Sequence, residues 1–86
     1  FKKAILYKLE IVKRKRVLDR MAFVELAQNC AVAHIYPDEI VEYLEGKVQE
    51  GYSDARHPLG GLMAKRKQFD RAIELLNQVI EEGGQY

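Results

Sequence analysis

Apolar residues recur along this chain at intervals of three and four, the period of helices that bury one side. Over residues 2–15, Ile5, Leu9 and Val12 fall together on a helical projection, and Ala4, Tyr7 and Ile11 gather on another side. Lys3, Glu10 and Arg14 keep only a narrow polar strip. A helix apolar on two sides needs cover twice, from its own domain and from something else. The alternation Tyr7-Lys8-Leu9-Glu10-Ile11 also suits a strand. A short extended piece at 16–18 follows, and Asp19 then predicts the N-cap of a second helix from residue 20 to about residue 30. That helix turns Phe23, Leu26, Ala27 and Cys30 inward. A third helix starts with Pro37 at its first position and Asp38 and Glu39 at the positive end of its dipole. It carries Ile40, Val41, Leu44 and Val48 in one arc and stops at Glu50-Gly51.

Residues 52–61 are turn-rich and predict a loop or small hairpin. The last helix runs from residue 62 to about residue 82, ended by Gly83-Gly84, and would be about 30 Å long. Its Phe69, Ile73, Leu76 and Ile80 lie within an arc of roughly 60°, widened by Ala72 and Val79. A stripe of that length on a small protein meets a partner. Together with Ile5, Leu9 and Val12, it predicts a homodimer interface built from the first and last helices.

The length of 86 residues supports one domain over 1–86, and 48% apolar with 31% charged residues is a folded composition. A domain this small has a thin core, which self-association would reinforce. The single cysteine excludes an internal disulfide framework and points to a reducing compartment, so a cytoplasmic location is expected. Runs such as Met21-Ala22-Phe23-Val24 are too short to span a bilayer, and no secretory signal is expected. The sequence opens on Phe1 and not on Met, as a trimmed fragment would.

Charge changes the picture through its distribution. Residues 1–21 hold eight basic against two acidic side chains, residues 22–62 two against seven, and residues 63–86 four of each. A basic head and an acidic middle suit a polyanion on one face, or a second copy bound head to middle. For nucleic acid, the phosphate-contacting candidates are Lys13, Arg14, Lys15, Arg16 and Arg20, with Arg56, Lys65, Arg66 and Lys67. The same runs also serve as solvated helix ends, where cations favour the dipole.

Candidate chemistry is sparse. Ser53 is the one serine and there is no threonine, so a nucleophilic triad is not expected, and the chain reads as a non-enzyme. Cys30 reads as a buried thiol. His34 and His57 lack metal-ligand spacing with any partner, and the single Gly60-Gly61 pair is too little for a phosphate loop. No cofactor or metal is expected.

The stretch from Leu26 to Tyr52 resembles the winged helix-turn-helix superfamily. The resemblance rests on Leu26-Ala27 in the supporting helix, Ala31-Val32 in the turn, the Ile40-Val41-Leu44-Val48 rhythm, and Glu50-Gly51-Tyr52 leading toward a wing. His34-Ile35-Tyr36 lengthens the turn, and Ala31 stands where the family often has Gly. The resemblance implies a mostly α, winged-helix-like fold with a short strand, a wing at 52–61 and a small DNA-binding regulatory or DNA-maintenance protein. The exposed side of the third helix, with Asp38, Glu42, Glu45 and Gln49, would repel a duplex, so contact would fall to the phosphates alone. The alternative expectation is a protein–protein interaction module docking through Glu42, Glu45 and Gln49 of that acidic helix.

Overall fold

Five α-helices and one 3-10 turn account for the regular structure of the residues described, 2–16 and 19–81, in a computed structural model. They are α1 (Lys2–Lys13), α2 (Arg20–Ala33), α3 (Asp38–Gln49), the turn Ser53–Ala55, α4 (Arg56–Lys65) and α5 (Phe69–Glu81). Among the described residues there is no strand. The extended piece expected at 16–18 rests on residues 17 and 18, and the terminating Gly83-Gly84 also lies outside the described residues. The fold is mostly α, and α1 is a helix and not the alternating strand its sequence also allowed.

The first three helices follow their local signals. Asp19, in extended conformation, caps α2 by accepting the Ala22 N–H at 3.0 Å. The helix runs past Cys30 to Ala33 and ends on His34 in the left-handed region, at φ 56°. There the His34 N–H donates to the Ala31 carbonyl and the Ile35 N–H to that of Cys30, a Schellman end. Pro37 sits one residue earlier than expected, as the N-cap of α3, and its carbonyl accepts the Ile40 N–H. Gly51, at φ 101°, closes α3 in the same Schellman pattern through the Val48 and Lys47 carbonyls.

The second half departs from expectation. Residues 52–61 form the 3-10 turn and most of α4, not a wing or loop. Ala55, Leu59, Leu62 and Met63 are buried at helical spacing, and Pro58 falls in the first turn, where a missing N–H costs nothing. The single helix expected over 62–82 is two helices. Lys67 adopts φ 63°, its N–H donating to the Ala64 carbonyl and that of Gln68 to Met63, which ends α4 and turns the chain back into α5.

α4 is the hub. It packs against α2, α3, the 3-10 turn and, most extensively, α5. α1 lies on α2 and α3. α2 and α3 pack chiefly on these shared neighbours. The core joins Ile5, Leu9, Val12, Phe23, Leu26, Ile40, Leu44, Leu59 and Leu75. Tyr52 closes one end edge-on to Phe23, with ring centroids 5.9 Å apart. The Lys47 ammonium stands 5.5 Å from the centroids of both Tyr43 and Tyr52.

Candidate docking surface and the placement of the charged residues

Two ends of the molecule can be defined from contacts. Arg20 and Val24, at the start of α2, line a hollow of about 150 Å³ with His57 and Pro58, at the start of α4. Ala31, near the end of α2, lines a groove shared with Lys65 at the end of α4. The two helices therefore run side by side in the same direction. Arg66 pairs with Asp38, the first residue of α3, and Lys2 with Glu39 at 4.0 Å, so the starts of α1 and α3 lie at the end where α2 and α4 finish.

This arrangement divides the nine basic candidates. Lys13, Arg14, Lys15 and Arg16 end α1 and, with Arg20, are exposed at the end where α2 begins. Arg56 begins α4 at that same end and is half-buried. Lys13 carries an ion pair with Glu10, at 3.6 Å. Lys65, Arg66 and Lys67 sit at the far end of α4, across the roughly 20 Å length of α2. Arg66 is held by Asp38 at 2.5 Å, and the Lys67 backbone makes the turn into α5. The nine candidates therefore fall into two groups, one at each end of α4.

The acidic face of α3 is also partly taken. Arg71 of α5 grips Glu45 with two nitrogens, Nε at 3.2 Å from Oε2 and a second to Oε1, and also reaches Glu74. The hydrogen bonds that Arg71 donates to the Glu45 carboxylate push its pKa further above its already high value. Glu45 is thus an internal strut between α3 and α5, while Glu42 and Gln49 stay exposed. Asp38 and Glu39 are engaged by Arg66 and Lys2.

The expected dimer stripe separates into two fates. Ile5, Leu9 and Val12 of α1 are 2–3% exposed, packed in the chain's own core, and offer nothing to a second copy. On α5 the order is reversed. Ala72, Leu75 and Val79 face α4, while Phe69 and Ile73 are each 57% exposed and Ile80 71%. α4 and α5 make a close helix contact. A Cβ on Gly60 of α4 would stand 2.9 Å from Leu76 Cδ2 and 3.6 Å from Leu75 Cβ. The half of the α5 apolar arc formed by Ala72, Leu75 and Val79 is buried, and the bulkier half is left outside. At 100° per residue that arc spans about 160° in all, too wide for one neighbour.

A groove of about 290 Å³ lies between α2 and α4, walled by Val24, Ala27, Ala31, Pro58, Gly61 and Leu62. Gln28, Tyr36, His57 and Lys65 form its margin. The groove was not legible as a site, because Gly60-Gly61 has the composition of a turn. The spacing of Ala55, Leu59, Leu62 and Met63 is the signal that would have revealed a helix there.

The remaining candidates fall outside this surface. Cys30 is fully buried, which pushes its thiol pKa up and keeps it unreactive. His34 caps α2 and His57 lies at the groove margin. Among the described residues no three His, Cys, Asp or Glu side chains group as metal ligands would, and no helix is long and apolar enough to cross a membrane. No family model matches the sequence, and no curated protein or solved structure matches it either.

Proposed function

We propose that this chain is a non-enzymatic protein-docking module that binds through the outer face of α5. One observation carries the reading: Phe69, Ile73 and Ile80 project into solvent from successive turns of one helix, with Leu76 half-buried between them. Single exposed apolar residues are ordinary, but an aligned row of three large ones is the mark of a face awaiting cover. Covering each is worth on the order of 1–2 kcal/mol, given how much of it is already exposed. Docking moves from α3 to α5 because Glu45 is occupied by Arg71. Capture on immobilised chain tests it. Ile73→Glu with Ile80→Glu should keep the helical circular dichroism and release proteins that the unaltered chain retains, its own copies included. Identical retention by both would remove the proposal.

A second reading, binding to a DNA backbone in a regulatory or maintenance role, is favoured by Lys13, Arg14, Lys15, Arg16 and Arg20 meeting at one exposed end. The winged-helix resemblance adds to it only the order of α2, turn and α3. Contact here would be to phosphates, with a steep loss of affinity as salt rises. A duplex mobility shift at low salt should vanish with Lys15→Glu plus Arg16→Glu. A shift indifferent to that change, or no shift, excludes it.

A further inference from the structure

We infer that the partner of this face is a second copy of the chain, with the α5 ridge of each copy seated in the α2–α4 groove of the other. The inference rests on the docking reading and adds the identity of the occupant. Ridge and groove lie on either side of the same two residues. Gly60 receives Leu76 from the inner flank of the ridge, and Gly61, next on α4, lines the groove with open space where its Cβ would be. A knob and a hole whose linings meet at neighbouring residues of α4 are what a two-fold axis can join twice over, each ridge meeting the other copy's groove.

Shape and length agree. The ridge runs from Phe69 to Ile80, twelve residues whose ends are eleven steps or about 16 Å apart. The hollow at Arg20 and the groove reaching Ala31 share Val24, His57 and Pro58, so together they span the same twelve-residue length along α2. The floor is made of small side chains, Ala27, Ala31 and Gly61, and the ridge of large ones. This is the relation of knobs to holes in packed helices.

Charge agrees as well. The solvent side of the ridge is bordered by Asp70, Glu74 and Glu81, of which Glu74 also pairs with Arg71, whereas the groove carries Lys65 and the adjoining hollow Arg20 with Asp54, two cations to one carboxylate. Opposed signs at the two rims favour ridge against groove over ridge against ridge, which would bring carboxylates together. Area points the same way. A stable interface takes about 800 Å² from each partner, about one-seventh of the 5732 Å² exposed here, more than three or four side chains supply alone. Using ridge and groove on each copy doubles the contact.

The test is sedimentation of the full chain from about 1 to 200 μM, with two single variants and their mixture. Ile73→Lys alters the ridge and Ala31→Glu the groove. Both positions are exposed in the single chain, so helical content and thermal midpoint should hold. The unaltered chain should reach twice the monomer mass, and each variant alone should need at least tenfold more protein to associate. Mixed one to one, the variants should associate again, because the ammonium introduced on one copy's ridge would then face the carboxylate introduced in the other copy's groove, while their second contact is the native one. A chain that stays monomeric to 200 μM overturns the second copy as occupant and leaves the docking reading to the capture experiment. Dissociation by Ile73→Lys but not by Ala31→Glu overturns the groove as the seat. A dimer indifferent to both overturns this inference and the use of α5 for docking together.

Discussion

α1 and α5 carry the same kind of apolar pattern, and the chain treats them in opposite ways. In α1 the residues that recur at four and three, Ile5, Leu9 and Val12, enter the core, and what remains outside is Tyr7 and Ile11 among Lys3, Lys8 and Glu10. In α5 the recurring large residues stay outside, and the smaller set, Ala72, Leu75 and Val79, goes in. The periodicity of a helix gives the width of its apolar arc. It does not give which half a neighbour covers, and on α5 that is the half formed by Ala72, Leu75 and Val79.

The comparison is sharpest at its extremes. Leu9→Ala should lower stability by about 2–5 kcal/mol in urea unfolding, while Ile80→Ala at high dilution should change it by less than about 0.5 kcal/mol. Equal losses would mean that the α5 ridge is already covered within one chain. Gly60→Val tests the close approach. It should cost about 1–3 kcal/mol by driving a side chain into Leu76, whereas Gly61→Ala, with open space before it, should gain about 0.5–1 kcal/mol from helix propensity. A neutral Gly60→Val would show that α5 can step away from α4.

Smaller effects are expected at the polar contacts. Arg71→Ala removes the clamp on Glu45 and should cost about 1 kcal/mol at low ionic strength, less at 1 M salt, since the guanidinium is partly exposed. A loss that salt does not reduce would point to packing of its alkyl stem instead. Smallest of all, His34→Gly and Lys67→Gly should each raise the thermal midpoint slightly, by up to about 1 kcal/mol of stability, because both hold a left-handed backbone without being glycine. A fall would mean that those side chains make contacts worth more than the backbone strain.

Much of the first half was legible because its punctuation is conventional. Asp19 caps, Pro37 with Asp38 and Glu39 opens a helix, and Gly51 closes one. The second half inverts those signs. Glycines 60 and 61 lie inside α4, where they cost helix propensity but permit contact, and the helix end falls on Lys67, in a Lys-Arg-Lys run that reads as helix interior. From that inversion came both the lost wing and the overlong last helix. The charged candidates were misjudged for a different reason. Sequence gives the sign of Arg66, Arg71 and Glu45 but not that Asp38 and each other lie within reach, 26 to 28 residues away.

Cys30, the only cysteine in the chain, lies wholly out of solvent. A thiol introduced at an exposed site would then be the one that a maleimide fluorophore or nitroxide finds in the folded protein. Probes on the ridge of one population and the groove of another could report distance by energy transfer or dipolar coupling with the native sulfur left in place, and the molecule comes ready for such labelling.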